Sequence, residues 1–350
     1  IKLLERFKAE ILIEAGAGIL SGYDDELYKL ANARIVNRNE CLNADICLCV
    51  KIPSQQDIKN MKPNTVLIGL LNPYENKSYF EVLKEKKITS CCMELIPRIS
   101  RAQNMDALSS QANLAGYRSV IDAAEQFNKA FPMMMTAAGR INPAKVMVLG
   151  VGVAGLQAIA TAKRLGAIVC ATDVRIATKE QVESLGAKFI MVEDKESNQA
   201  ESKNGYAKEM SDDYKRKQAS LIAETISKQD IVICTALIPG KIAPILVDEK
   251  MVNSMSAGSV IVDLAVEAGG NCFLSKLGKI ISHNGVKIIG HANFPGRVAK
   301  DASALYARNI VNFLSLIINE EKKISINWED EIVNSTGLTH NGNLKLEQFQ

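Results

Sequence analysis

The chain has 350 residues, of which 47% are hydrophobic and 23% are charged, an ordinary composition for a globular protein. Its 42 Lys and Arg residues nearly balance 39 Asp and Glu residues, so the formal net charge is only +3. This balance excludes the strong electrostatic attraction that binders of nucleic acid or anionic membranes use, and no apolar run reaches the roughly 20 residues of a membrane span. We therefore expect no nucleic-acid partner and no transmembrane segment in a chain long enough for two domains.

The first third of the chain alternates short apolar runs with helical patterns. It opens on an amphipathic helical pattern with Ile1, Leu4 and Phe7 on one face, and without a Met, so we expect a strand and a loop to precede residue 1 in the complete protein. Strands are predicted at 10–16, 44–50, 65–71 and 88–95, and helices at 23–32 and 77–87. Such alternation, with strands that are apolar throughout, favours a parallel sheet covered by helices.

A long helix rich in Ala, Ser and Gly is predicted from about residue 106 to 129, and a second alternating series follows it. The strands of that series are predicted at 145–150, 168–173, 188–192, 230–237, 259–265 and 286–293, with helices at 153–167, 178–187, 214–228 and 247–256. A final long helix at 302–319 precedes short strands around 323–333. The predicted fold class is α/β, with two doubly wound parallel-sheet, Rossmann-like domains: residues 1–130 plus 301–350, and residues 131–300.

The eight cysteines form no C-x-x-C pair and lie mostly in apolar runs, so we expect buried, reduced thiols of a cytosolic-type compartment. His283, His291 and His340 show no ligand spacing with these thiols, so we expect no metal site. The polar segment 193–205 has no large apolar side chain and has two interpretations. It is either a surface loop or a lid over a ligand, with Tyr206 as its apolar tip.

The stretch "KVMVLGVGVAGLQAIATAKRLGAIVCATD" carries the strongest chemical signal. Gly150, Gly152 and Gly155 form G-x-G-x-x-G between a predicted strand and a predicted helix. The first glycine permits the tight turn, the second leaves room for a pyrophosphate, and the third allows close helix–strand packing. The helix N-terminus offers free N–H groups to phosphates. The alternative is a glycine-rich packing turn without a ligand.

Asp173 ends the next predicted strand, 18 residues after Gly155. A carboxylate at this position accepts hydrogen bonds from ribose hydroxyls and repels a 2′-phosphate, which favours NAD over NADP. Arg175 weakens that inference, because its cation can bind a phosphate.

With these residues in view, the chain resembles the NAD(H)-binding component (α subunit, domain I) of proton-translocating NAD(P) transhydrogenases, which share a fold with alanine dehydrogenases. The resemblance covers nearly the whole chain. It rests on long segments: "MELIPRISRAQNMDALSSQANLAGYRSVIDAA", "FPMMMTAAGRINPAKVMVLGVGVAGLQAIATAKRLGA", "ATDVR", "GYAKEMSDD", "CTALIPGK" and "VIVDLAVEAGGNC". It implies two α/β domains with NAD(H) in the cleft between them.

The polar loop "PRISRAQNMD" is where the resemblance implies the nicotinamide end of the site. The family's Arg, Gln, Asp and Ser fall here on the following residues, which we predict to be catalytic: Arg98, Gln103, Asp106 and Ser109. The Gln103 amide can both donate and accept, and Arg98 and Asp106 can pair across the loop. The alternative is that Asp106 caps the following helix and the other charges are exposed, and Asp106 can do both.

The resemblance also implies a mobile loop at "GYAKEM", with Tyr206 closing over nucleotide, and a strand-end loop at "TALIPG". The predicted cofactor-binding residues are Gly150, Gly152, Val153, Gly155, Asp173, Val174, Arg175, Gly205, Tyr206, Thr235, Ala236, Leu237 and Glu267. Asp263 and the Gly269–Gly270 turn also lie at a strand end. Glu267 receives only a supporting role, and a purely structural one remains open for it.

Hydride transfer between two nicotinamides requires two C4 atoms held close and aligned, with water excluded. Because the chain has one dinucleotide fingerprint, we expect NAD(H) here and NADP(H) on a partner domain, the β subunit, with proton translocation in separate membrane-spanning subunits. The resemblance implies a homodimer at the cytoplasmic face of the inner membrane, or the matrix face if mitochondrial, held there through its partners.

Two rival functions stay open at this stage. An alanine dehydrogenase-like enzyme, acting on pyruvate and ammonia, is favoured by Lys51, which falls where those enzymes keep a substrate lysine. It is disfavoured by Leu70, where they keep a histidine. The third hypothesis is a non-catalytic NAD-sensing module, which would bind NAD(H) without any hydride transfer to a partner.

Overall fold

The computed structural model describes residues 1–192, 210–238, 240–346 and 349. By their contacts the residues form two compact units, one of residues 1–111 and 299–350, the other of residues 112–298. The first division falls inside the helix Ala107–Gln126, and the second falls directly before the helix Ala299–Ile317. The sequence set its breaks at 130, beyond the end of the first helix, and at 300, and these stay predictions as domain boundaries.

The first 111 residues carry short helices between strands. The elements are β1 (Leu12–Glu14), α1 (Asp25–Leu30), β2 (Arg34–Val36), α2 (Arg38–Leu42), β3 (Ile46–Lys51), α3 (Gln55–Asn60), β4 (Val66–Leu70), α4 (Phe80–Glu85) and β5 (Thr89–Cys92). Strands β3, β4 and β5 are parallel neighbours, while β1 and β2 form a separate parallel pair. The four strands predicted here are confirmed; β2, α2 and α3 were not predicted.

Local capping explains two of the missed helices. Asn37 accepts from the Glu40 N–H, and the Glu40 carboxylate reaches back to the Asn37 N–H, which starts α2. Ser54 and Asp57 form the same reciprocal pair at the start of α3. Such capping boxes satisfy two otherwise unpaired N–H groups, so they define helices too short for periodicity to reveal.

The second unit contains most of the long helix and a larger sheet. Its elements are α5 (Ala107–Gln126), β6 (Met134–Thr136), β7 (Gly139–Ile141), β8 (Lys145–Leu149), α6 (Val153–Arg164), β9 (Ile168–Thr172), α7 (Lys179–Ser184), β10 (Lys188–Phe189), α8 (Asp212–Ile226), β11 (Ile231–Cys234), α9 (Glu249–Ser254), β12 (Val260–Asp263), β13 (Lys279–His283) and β14 (Val286–Gly290). The predicted strands of this series are confirmed, whereas the exposed hairpin β6–β7 and strand β13 were missed.

The strand order of the large sheet is β10-β9-β8-β11-β12-β14-β13. All pairs are parallel except β13, which runs antiparallel to β14 at the edge. The chain moves outward from β8 to β10 and then returns to place β11 on the other side of β8. This reversal is the doubly wound arrangement, and it creates a crevice at the carboxyl ends of β8 and β11.

The last segment returns to the first unit with α10 (Ala299–Ile317), α11 (Glu331–Thr336), β15 (Gly337–His340) and β16 (Asn343–Leu344). Strand β15 pairs antiparallel with β5, so this five-stranded sheet is mixed, with order β16-β15-β5-β4-β3. The strands predicted around 323–333 are wrong. Asp330 caps a helix there by accepting from the Ile332 and Val333 N–H groups, and the strands follow later.

Each unit has its own apolar core. In the second unit, β8, β11 and β12 lie between helices, and Val146, Ile233 and Val262 are fully buried. In the first unit, α10 contributes Phe313 and Ile317 to a core beneath β4. The α/β fold class with parallel-sheet domains is therefore confirmed, and the antiparallel edges are an addition to it.

The cysteines are buried in half of the cases. Cys91, Cys92, Cys234 and Cys272 are buried, while the other four are half-buried. Burial raises the pKa of the Cys47 and Cys170 thiols to about 11, so both are protonated at neutral pH.

Candidate dinucleotide site

The turn after β8 has the backbone that the three glycines predict. Gly150 has φ +95°, and its N–H donates to the Thr172 carbonyl at 2.9 Å. A Cβ on Gly150 would lie 2.9 Å from the Ala236 nitrogen, and one on Gly155 would lie 2.1 Å from the Gly150 carbonyl oxygen. A Cβ on Gly152 would meet no atom within 4 Å. The first and third glycines therefore permit the packing, and the second borders open space.

Helix α6 starts at this open space. Gly152 is its N-cap residue and has no side chain with which to cap the helix. The first N–H groups of a helix lack partners within the helix and carry positive partial charge, so they attract phosphate. The space beside Gly152 thus has the geometry and the polarity that a pyrophosphate requires.

The loop after β11 closes one side of the glycine turn. The Thr235 hydroxyl donates to the Gly150 carbonyl at 2.8 Å, which ties the two strand ends together. Asn271, fully buried, accepts from the Ala236 N–H at 3.0 Å and donates to the carbonyls of Ala236 and Pro244 at 2.9 and 2.8 Å. Sequence reasoning missed Asn271; its only signal was its place after the Gly269–Gly270 turn.

Asp173 lies at the carboxyl end of β9, directly beside the glycine turn, and is 7% exposed. Its Oδ2 accepts from the Val151 N–H at 2.7 Å. The Arg175 guanidinium binds the same carboxylate with Nε at 2.9 Å from Oδ1 and Nη2 at 2.8 Å from Oδ2. The two residues that the sequence set against each other, one for ribose and one for phosphate, therefore form an ion pair.

The other residues predicted to bind cofactor in this unit lie at the same edge of the sheet or at its border. Val174 is half-buried and packs against Met210 and Tyr214, while Leu237 is exposed. Glu267 is exposed and accepts from the Asn293 N–H at 3.1 Å. The predictions for Gly205 and Tyr206, and the lid itself, lie outside the described residues.

Asp263, at the end of β12, is a structural anchor. It is fully buried, and it accepts from the N–H groups of Ala265 and Cys272 at 3.0 and 2.9 Å and from the Ser275 hydroxyl at 2.7 Å. These bonds fix the turn that carries Asn271. Because its lone pairs are used by the protein, Asp263 shapes the loop rather than binding a ligand.

In the first unit, the polar loop after β5 forms a short 3-10 helix, Ser100–Met105, that leads into α5. Arg98 and Gln103 are exposed. Asp106 accepts from the Ser109 N–H at 2.8 Å and from its hydroxyl at 2.6 Å, which is the N-terminal cap of α5. The capping interpretation of Asp106 is therefore confirmed, while a catalytic role for these four residues stays a prediction.

Two contacts that the sequence did not indicate hold this loop in place. Arg101 makes a bidentate ion pair with Asp330, with N–O distances of 2.7 and 3.0 Å. The Asn104 carbonyl accepts from the side-chain amides of Asn309 and Asn312 on α10, both at 3.0 Å. The exposed Gln103 thus lies on a segment that is anchored on both sides.

Lys51, which supports the rival enzyme, is exposed at the end of β3, where the pairing with β4 shifts register. Among the described residues, no helix is both long enough and apolar enough to cross a bilayer.

A doubly wound sheet with a glycine turn and a helix N-terminus at its central carboxyl edge defines a Rossmann-like dinucleotide-binding protein. Models of known families make the assignment specific. The N-terminal domain of the "Alanine dehydrogenase/PNT" family matches residues 1–115, and its C-terminal domain matches residues 119–347. The chain belongs to the alanine dehydrogenase/PNT family.

Individual relatives divide between the two branches of that family name. The chain is 52% identical over 350 residues to an NAD(P) transhydrogenase subunit alpha protein of Rhodospirillum rubrum, covering 98% of this chain and 91% of that protein. It matches the crystal structure of transhydrogenase from Sinorhizobium meliloti with a TM-score of 0.89 at 50% identity, covering 98% and 93% of the two chains. Alanine dehydrogenase of Bacillus subtilis is 26% identical over 321 residues, covering 89% and 78%.

Proposed function

We propose that this chain is the NAD(H)-binding part of a proton-translocating NAD(P) transhydrogenase α subunit. The observation that carries the proposal is the open space at Gly152, beside the N-terminus of α6 and next to Asp173. It occurs in a chain 52% identical over nearly its whole length to a transhydrogenase α subunit, twice the 26% identity to an alanine dehydrogenase.

In this proposal the second unit holds the nucleotide. The glycine turn and the first N–H groups of α6 bind the pyrophosphate, and Asp173 accepts from the ribose hydroxyls. The loop Thr235–Leu237 borders the nucleotide, and Asn271 keeps that loop in shape. A carboxylate at the end of β9 favours NAD(H) over NADP(H) because it repels a 2′-phosphate.

The nicotinamide end is assigned to the loop that carries Gln103. Its exposed amide offers both a donor and an acceptor to a carboxamide or a ribose. Asp106 and Ser109 fix the start of α5 and thereby the direction of the loop, so we regard them as positioning residues. Arg98 supplies a cation to the same loop.

The reaction is NADH + NADP⁺ → NAD⁺ + NADPH. The C4–H bond of the dihydronicotinamide breaks, the hydride forms a new C4–H bond on the second nicotinamide, and no proton donor is required. Alignment of two C4 atoms roughly 3–3.5 Å apart provides the rate enhancement. The NADP(H) is bound by a partner domain of the β subunit, and proton translocation occurs in membrane-spanning subunits. A homodimer held at the cytoplasmic face of the inner membrane completes the proposal.

The second candidate is an alanine dehydrogenase activity, favoured by the exposed Lys51 at the carboxyl end of β3. That reaction needs a cation for the keto acid and a general acid–base group. Leu70 stands where the sequence comparison expects a histidine. The lower identity to alanine dehydrogenase also disfavours this candidate.

The test is a set of three measurements on the purified chain. NADH and NADPH affinities are measured side by side; hydride transfer to an NADP⁺ analogue is measured with the NADP(H)-binding domain of a transhydrogenase β subunit added; and NADH oxidation is measured with pyruvate and ammonia. We expect preferential NADH binding, transfer only with the partner, and no pyruvate-dependent oxidation. NADH binding without transfer would favour the sensing module, and pyruvate-dependent turnover would favour the dehydrogenase.

A further inference from the structure

Both oxygens of Asp173 are already occupied by donors of this chain. Oδ1 accepts from the Arg175 main-chain N–H and Nε, both at 2.9 Å, and Oδ2 accepts from the Val151 N–H at 2.7 Å and from Arg175 Nη2 at 2.8 Å. A carboxylate has about four lone-pair sites. While these four bonds hold, Asp173 has no acceptor site left for a ribose hydroxyl.

The four donors differ in how readily they can be replaced. The Val151 N–H belongs to the glycine turn, which Gly150 ties to Thr172 at 2.9 Å. The Arg175 N–H is fixed by its place two residues after the carboxylate. The guanidinium is on a long stem with several rotatable bonds, and 13% of its side chain is exposed. Its two bonds are the ones that a ribose can replace.

The displaced guanidinium would stay close to the site. Arg175 Nη2 also donates to the Val151 carbonyl at 3.1 Å, in the turn that leads to Gly152. A cation here lies beside the position of the adenosine ribose, where NADP(H) carries its 2′-phosphate. Arginine is well suited to bind phosphate through paired N–H groups.

We propose that Asp173 selects against NADP(H) in two ways: it repels the 2′-phosphate directly, and it sequesters Arg175, a cation that would otherwise bind that phosphate. The inference rests on the proposed NAD(H) site. An unphosphorylated ribose competes with the guanidinium for the carboxylate. A 2′-phosphate cannot use the guanidinium, because the guanidinium is held against a carboxylate of the same charge sign as the phosphate.

The test compares four proteins: the wild type, Asp173→Asn, Arg175→Gln and the double variant. NADH and NADPH are titrated against each by nucleotide fluorescence at one fixed ionic strength, because phosphate contacts are salt-dependent. Asn keeps the size of Asp and can still accept from the Val151 N–H, but it cannot hold a guanidinium by charge. Thermal unfolding of each variant without nucleotide verifies the fold, and Asp173→Ser, alone and with Arg175→Gln, replaces the Asn pair if that pair is unstable.

We expect Asp173→Asn to bind NADPH at least about tenfold more tightly than the wild type, the change expected for a gained pair of charge-assisted hydrogen bonds. In the double variant the Arg175-dependent part of this gain disappears. An equal gain in the single and double variants would show that lost repulsion explains everything and would overturn the proposal, as would no gain in the single variant. Wild-type NADH binding tests the proposed function separately: its presence keeps that function even where the variants overturn the role of Arg175.

Discussion

The glycine turn allows space for the ligand and packing of the fold to be tested separately, with two matched Gly→Ala substitutions three residues apart. In Gly155→Ala the new Cβ would lie 2.1 Å from the Gly150 carbonyl oxygen and 3.0 Å from its carbonyl carbon. Both atoms are main chain and held by the sheet, so they cannot move aside cheaply. In Gly152→Ala the new Cβ meets nothing within 4 Å, and φ is −87°, which any residue adopts.

The magnitudes follow from these environments. Overpacking of this kind typically costs about 1–3 kcal/mol. For a domain of roughly 150–250 residues each kcal/mol lowers Tm by about 2–4 °C, so Gly155→Ala should lower Tm by roughly 5 °C or more. Gly152→Ala should leave Tm unchanged or raise it slightly, since replacing Gly reduces the conformational entropy of the unfolded chain by about 0.4–1 kcal/mol. It should nevertheless weaken NADH binding at least tenfold, a loss of about 1.4 kcal/mol, because the methyl group occupies the phosphate space.

The assays are thermal unfolding by circular dichroism and NADH titration by fluorescence, both on the same preparations. The expected pattern is one variant with intact stability and poor binding, and another impaired in both. If Gly152→Ala bound NADH as the wild type does, the open space beside α6 would not be the pyrophosphate site. If Gly155→Ala melted at the wild-type temperature, the close contact between α6 and the turn after β8 would not matter to stability.

Three further predictions concern other parts of the molecule. Gln103→Asn, which keeps the amide but shortens its reach, should strongly reduce hydride transfer to the partner's nucleotide and leave NADH affinity nearly intact; equal loss of both would show that the side chain only anchors nucleotide. Asn271→Ala leaves buried main-chain groups around Ala236 without partners and should lower the free energy of unfolding by about 2–4 kcal/mol, measured by urea denaturation; a change below about 1 kcal/mol would contradict the clamp assigned to it. Arg38 holds the pKa of the Asp57 carboxyl well below its usual value, so this ion pair stabilises the fold above the unfolded-state pKa of about 3.9, and the stabilisation is lost as pH falls below that value. The pH dependence of stability between about pH 5 and 2 should therefore be shallower in Asp57→Asn than in the wild type, and identical slopes would refute the assignment.

The parts of the fold that the sequence predicted depend on local patterns. Strands β8, β9, β11 and β12 are short apolar runs between helical segments, and their neighbours in the chain are enough to identify them. The role of each glycine in the turn was equally predictable, because the strand, the turn and α6 are consecutive, and the backbone can follow only one path through Gly150.

The parts that were missed depend on residues distant in sequence. Asn271 acts on Ala236, and Arg101 acts on Asp330, 229 residues away; no spacing rule connects such partners. Strand β13 has charged and polar residues beside its apolar ones, because one edge and much of its surface are exposed. The pairing of Asp173 with Arg175 is local, yet both side chains were interpreted only by what a ligand would require of them.

The hydroxyl of Thr235 and the amide of Asn271 join three segments of the second unit that are far apart in sequence, and they do so through groups of the protein alone. The phosphate end of the pocket is therefore preorganised, and little of the affinity for a coenzyme is spent on ordering the main chain. Association at that end requires no rearrangement of the protein, so we expect exchange of oxidised for reduced coenzyme to be governed by the residues that contact the ribose and the ring.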